Sequence, residues 1–200
     1  MINVFLQKYT PSLSICYITT SLLFLTISAY AQTEGSGIYK TVQDFKTGNL
    51  SLKVDCKMKS HKIKLNDFFG KSDIIVVHEG KDYKFKKNDI YAYQLCGGEV
   101  YRFISNTLEY QILNLKETIL IYKHETAPSK GNPKTTHYFF SKDADSTIQT
   151  LTLANLKGAF PTNHKFHDAL DSNFKSDVDL AGYDSFHKMY KINHLLMDNN

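Results

Sequence analysis

Residues 90 to 104 read IYAYQLCGGEVYRFI, and the Gly97-Gly98 pair at their centre decides the fold. On either side of it the chain is rich in aromatic and β-branched residues, the composition of a strand. Two consecutive glycines supply the positive φ angles that a two-residue hairpin turn needs. The spacing therefore predicts an antiparallel hairpin with Leu95 opposite Val100 and Tyr93 opposite Arg102 on one face. Gln94 then faces Tyr101, and Ala92 faces Phe103, on the other. A face carrying Tyr91, Tyr93 and Arg102 is a candidate surface for a sugar or peptide, because aromatic rings offer large contact area at low entropy cost. Cross-strand packing uses the same residues, and the missing tryptophan weakens the sugar reading.

The same texture extends outward from about Ser51 to Ser141. KIKL (62–65), DIIVVH (73–78), DYKFKK (82–87), YQILN (110–114), TILIYKH (118–124) and HYFFS (137–141) all read as strands separated by turn residues. HETAPSKGNPKTT (124–136) has two prolines and no apolar cluster, so it is an exposed loop. Upstream, GIYKTVQDFKTGN (37–49) offers Thr41 as a helix cap, Asp44 three residues on, Val42 and Phe45 for burial, and Gly48 as a stop.

From Thr150 the period becomes helical. Thr152 caps LANLKGAF, where Leu153, Leu156 and Phe160 share a face before Pro161. A second helix begins near Asn163 with Phe166, Ala169, Leu170, Asn173 and Phe174 as its buried stripe. A third follows Ser176, which forms a capping box with Asp179, and its stripe is Tyr183, Phe186, Met189, Tyr190 and Met197. Strands first and helices last predict an α+β domain. Its largely antiparallel sheet is a meander of about six to eight strands, with two or three C-terminal helices packed on it.

The amino terminus reads as an export signal. An apolar run from Leu13 to Ile27 follows Lys8, and Ala29-Tyr30-Ala31 precedes Gln32, placing cleavage between Ala31 and Gln32. The run is shorter than the roughly 20 residues that span a bilayer. Cys16 follows Ile15, not the small residue of a lipid-attachment site. The expected mature protein is a single domain of residues 32–200, periplasmic or secreted, with no transmembrane segment. In an oxidising compartment its two cysteines, Cys56 and Cys96, form a disulfide by default. Two buried free thiols are the alternative if their Cα atoms do not come within about 4.4 to 6.8 Å.

The formal net charge of the whole chain is +4, too small to imply an acidic partner. Residues 53 to 87 hold ten lysines against five acids, but Arg102 is the only arginine, and planar phosphate recognition favours arginine. With export, this excludes nucleic acid as a partner and leaves the lysines as a solvated face.

Geometry limits the candidate catalytic and metal-ligating residues. In the second helix His164 and His167 project away from the buried stripe. In a continuous third helix His187 and His194 stand seven residues apart, about 10.5 Å along the axis. Zinc holds its nitrogens at about 2.0 to 2.1 Å, so that pair cannot share an ion, and no metal or other cofactor is expected. HEGKD (78–82) lacks the second histidine of a zinc-protease helix. DVDLAG, from Asp177, lacks two ligands of a calcium loop. Cys96 precedes His137 in the order of cysteine hydrolases, but it ends a strand and lacks the helix N-terminus that lowers a thiol pKa.

Taken together, GIYKTVQDF (37–45), YFFSKDADS (138–146), NLKGAFPTNHKFHDALD (155–171) and YDSFHKMYKINHLL (183–196) resemble small uncharacterised exported proteins of Gram-negative bacteria. The resemblance implies export and a single domain, and no activity, cofactor or catalytic residue. The function expected from the sequence is a non-enzymatic binding or interaction module of the cell envelope or extracellular space, with an unidentified ligand there. An envelope hydrolase using Cys96 or a histidine-bound metal is the alternative.

Overall fold

Alternation along one strand organises the core. In β9 (Leu120–Thr126) and the residue before it, Ile119 and Ile121 point to one side and Leu120 and Tyr122 to the other, and all four are buried. This is the period-two signature of a strand covered on both faces. The computed structural model describes residues 35–54, 56–57, 62–65, 71–128 and 133–199, so the expected export signal and its Ala31–Gln32 cleavage point lie outside the described residues.

Strand β9 sits within an eight-stranded antiparallel sheet. Its members are β1 (Ser36–Tyr39), β2 (Ser51–Val54), β6 (Ala92–Gln94), β7 (Val100–Phe103), β8 (Glu109–Ile112), β9, β10 (Thr135–Ser141) and β11 (Gln149–Thr150). They are ordered β11-β10-β9-β8-β7-β6-β1-β2. A separate three-stranded antiparallel sheet holds β3 (Lys62–Lys64), β4 (Asp73–His78) and β5 (Lys81–Lys86). The meander is therefore interrupted. The chain leaves the main sheet after β2, builds the small sheet, and re-enters beside β1.

The protein is α+β, with its C-terminal helices packed on the sheet. Helices α2 (Leu153–Ala159), α3 (His164–Asn173) and α4 (Lys191–Asp198) bury Leu156, Phe166, Leu170, Ile192 and Leu196 against Ile119, Ile121 and Phe140. The Thr152 hydroxyl accepts from the Asn155 amide at 3.1 Å, as its predicted capping role requires, and the Asn163 side chain accepts from the Phe166 amide at 3.0 Å where the second helix was expected to begin. On the opposite face α1 (Val42–Thr47), closed by the Thr41–Asp44 capping box and a left-handed Gly48, buries Phe45 among Tyr39, Leu50, Val100 and Tyr122. A third cluster joins Ile38 and Tyr93 of the main sheet to Ile74 and Val76 of the small one.

Strands β1 and β2 were not among the runs read from the sequence. Gly37 explains this, since a Cβ there would lie 2.8 Å from the Ser51 carbonyl oxygen. The close backbone approach selects a glycine, and Ser36-Gly37 then looks like loop.

Two readings need correction. The central hairpin turns through three residues, Cys96 to Gly98, not two. Leu95 donates its amide to the Glu99 carbonyl at 2.9 Å, and of the two glycines only Gly98 has a positive φ, at 87°. The register is Tyr93 opposite Tyr101 and Gln94 opposite Val100. A one-residue slip exchanges faces, so Tyr93 and Arg102 lie on opposite sides of the sheet.

The third helix is the other correction. Ser176 does bond Asp179, at 2.8 Å, but only a 3-10 turn forms over Asp177–Asp179. The chain then makes a hairpin from β12 (Tyr183–Asp184) and β13 (Met189–Tyr190), and α4 starts only at Lys191. Local polar bonds win over the helical pattern. The Asp184 carboxylate accepts from the amides of Phe186 and His187 at 2.9 and 3.1 Å, and Lys188 adopts a left-handed φ of 55°. Phe186, expected in the buried stripe, is instead 87 % exposed.

Candidate functional site

The face covered by α1 carries the arginine. Arg102 is opposite Tyr110 in β8, and its guanidinium lies over the Tyr91 ring, 4.6 Å from the centroid. The slipped register parts Arg102 from Tyr93, whereas Tyr91, which precedes β6, packs with the guanidinium. Tyr93 is buried against Ile38, stacked on Tyr101 at 5.3 Å, and bonded through its hydroxyl to Glu109 at 2.7 Å. Of the predicted face, Tyr91 and Arg102 share a site and Tyr93 is core.

Each contact around Arg102 has a structural cause. Phe45 of α1 packs on Tyr91, with ring centroids 5.0 Å apart and planes tilted by 44°. The Tyr91 hydroxyl donates to the Ala144 carbonyl at 2.9 Å, and the turn presenting that carbonyl is tied by Asp143, whose carboxylate accepts from the amides of Asp145 and Ser146 and the Ser146 hydroxyl. The hydrogen bonds from Ser146 hold the Asp143 carboxyl below its ordinary pKa. Burial raises the Tyr91 phenol well above its ordinary value, so it remains neutral beneath the cation.

Nη1 of Arg102 donates to the Tyr122 hydroxyl at 3.2 Å and, at a longer 3.4 Å, to that of Tyr91. Among the described residues no carboxylate pairs with Arg102, and no acceptor meets its other N–H groups. A guanidinium has five donors in a planar fork. Here one nitrogen is used to fix its position.

The fork borders a shallow cleft of about 370 Å³ lined by Lys40, Lys87, Asn88, Asp89, Tyr91 and Arg102, among others. Three cations line it against one carboxylate. Lys87 is fully buried, and its ammonium donates to the Asn106 carbonyl at 2.7 Å beside the Phe103 ring. The cleft is polar and open, unlike the enclosed, mostly apolar pockets that hold small substrates. It suits a charged group presented on a larger ligand.

Cys56 and Cys96 form a disulfide, with Cα atoms 5.5 Å apart. Cys96 therefore has no thiol to offer as a nucleophile in this state. The bridge ties the loop carrying the small sheet to the central hairpin.

The histidines divide into two groups. His164 is exposed, and Nε2 of His167 bonds the Phe160 carbonyl at 2.9 Å, where it links the end of α2 to α3. His187 and His194, in contrast, meet. Because His187 lies in the hairpin turn and not on a helix with His194, their rings stack with centroids 3.7 Å apart. The separation expected for a continuous helix is thereby overturned. Nδ1 of His187 is 2.7 Å from Asp184, and hydrogen bonds from His187, with those from the backbone, pull the Asp184 carboxyl down to about 2. Asp184 is thus ionised and accepts, so the His187 proton sits on Nδ1. Nε2 of His194 lies 3.3 Å from Asp198.

Comparisons add no relative: no family model, no curated protein and no solved structure matches this chain. Among the described residues no helix is long and apolar enough to cross a membrane.

Proposed function

We propose that this chain is an exported, non-enzymatic binding module of the cell envelope or extracellular space. Its ligand face is the Arg102 cleft, and the group it recognises is a carboxylate or phosphate on a larger ligand. One observation carries the reading: a half-buried guanidinium, stacked on Tyr91 and anchored through Nη1, has donors that meet no acceptor among the described residues and lines a cleft where cations outnumber acids. Arginine in that setting favours planar, bidentate anions. Export is supported by the apolar leader and by the Cys56–Cys96 bond, which persists in oxidising compartments. A non-enzymatic role is supported by the same bond, which occupies the candidate nucleophile Cys96.

The test is a binding titration with a glutamate-rich peptide and a phosphorylated sugar, against a glutamine-rich peptide and the neutral sugar. At least one anionic probe should bind and the neutral ones should not. Arg102→Gln should weaken binding about tenfold or more. Arg102→Lys should restore only part of it, because an ammonium lacks the fork. Equal binding of charged and neutral probes, or no loss in Arg102→Gln with melting unchanged, overturns the proposal.

A further inference from the structure

We infer that the C-terminal hairpin and α4 form a site for a divalent late transition metal ion, with Asp184, His187 and one nitrogen of His194 as its protein ligands. This stands apart from the Arg102 cleft, on different residues and different elements. One donor atom from each of the three side chains lies within 4.8 Å of the other two. Two imidazoles and a carboxylate are a donor set for Zn²⁺ or Cu²⁺, not for Ca²⁺ or Mg²⁺, which take oxygen.

The ligands come from two elements that are independently fixed. Asp184 holds the hairpin turn through Oδ1, which accepts from the Phe186 and His187 amides, and it orients His187 through Oδ2 at 2.7 Å. The helix bearing His194 is clamped to the sheet by Asn193, which accepts from the Ile119 amide at 2.8 Å and donates to the Ile119 carbonyl at 2.9 Å. The site is therefore hinged only at the side chains. His187 has 38 % of its side chain exposed, so an ion has access.

The stacked arrangement is not the bound one. Two ligands of a tetrahedral ion at 2.0 to 2.1 Å stand about 3.3 Å apart, and their lone pairs must aim at one point. The His194 donor has to draw in from at most 4.8 Å, the His187–Asp184 pair has to open from 2.7 Å, and the two rings, now 20° from parallel, have to tilt apart. The ion would replace the proton now held between His187 Nδ1 and Asp184, and a water or a donor from a partner would fill the fourth position.

The experiment is calorimetric titration of Zn²⁺ into the purified full protein, free of any histidine tag, in excess Ca²⁺. Wild type should bind one Zn²⁺ per chain, and His187→Gln, His194→Gln and Asp184→Asn should each weaken it about tenfold or more. Asp184→Asn keeps the Oδ1 acceptor of the turn, so it separates loss of a ligand from loss of the hairpin. His124 and His137, opposite each other across β9 and β10, offer a competing pair. The variant with both replaced by asparagine should therefore bind zinc as wild type does. Binding weaker than millimolar, binding that survives His187→Gln with His194→Gln, or binding lost with His124 and His137 instead, overturns the site.

Discussion

Replacing Cys56 and Cys96 together with serine removes the cross-link between the central hairpin and the segment that leads into the small sheet. The two residues are 40 apart in sequence, and β3, β4 and β5 all lie within the loop they close. Chain-entropy theory for a loop of this length gives a stabilisation of about 4 kcal/mol, acting through the unfolded state. For a protein of this size that is a fall in melting temperature of roughly 8 to 16 °C. Urea unfolding followed by far-UV circular dichroism measures it. The double variant should unfold at a lower midpoint, with a steeper dependence on urea because its unfolded chain is less compact. Reduced wild type should match it within about 0.5 kcal/mol. A loss below about 1 kcal/mol would show that the loop is already restrained in the unfolded state. Recovery of two alkylatable thiols from protein blocked at lysis would refute the bridge itself.

Leu170 is fully buried on the inner face of α3, so Leu170→Ala should cost about 2 to 5 kcal/mol. Exposed His164→Ala should cost less than about 0.5 kcal/mol, and a reversed order of denaturation midpoints would invalidate the face assignment. In the central turn only Gly98 requires a left-handed backbone, so Gly98→Ala should cost about 1 to 2 kcal/mol. A Cβ at Gly97 would meet only the mobile end of Glu99, so Gly97→Ala should be milder; equal costs would favour the two-residue turn. Asp143 has its carboxyl pKa lowered by Ser146, so its stabilisation is complete above its ordinary value of 3.8 and is lost as the pH falls through the lowered value. The melting-temperature gap between wild type and Asp143→Ala should therefore be wide at pH 7 and narrow toward pH 2, and a gap independent of pH would deny the carboxylate this role.

Much of the fold was legible because burial and pattern agree there. The runs from KIKL to HYFFS are strands, Thr152 and Thr41 cap helices as their sequences predict, and a helix begins beside Asn163 as expected. The failures come where short-range polar bonds or close backbone approach outweigh pattern. Gly37 hid β1, a single residue of turn length moved Arg102 off the face of Tyr93, and the Asx bonds of Asp184 turned an apparent helix into a hairpin. The last error concealed the candidate metal site. Spacing along a helix separated His187 from His194, whereas a turn between them folds one ring onto the other. The D-S-F-H string was the available signal, since aspartate two or three residues before free amides favours a turn. Of the predicted face, Tyr91 and Arg102 do meet, and Tyr93 was assigned to them by the wrong register.

Because Arg102 is the only arginine in the chain, its Nε–H gives a single, unambiguous guanidinium signal in a nitrogen-correlated NMR spectrum. That signal reads the proposed ligand face directly. Adding the glutamate-rich peptide or the phosphorylated sugar should shift it and slow its exchange with water, and the neutral counterparts should leave it unmoved. A signal that stays in place at millimolar concentrations of both anionic probes would contradict the account.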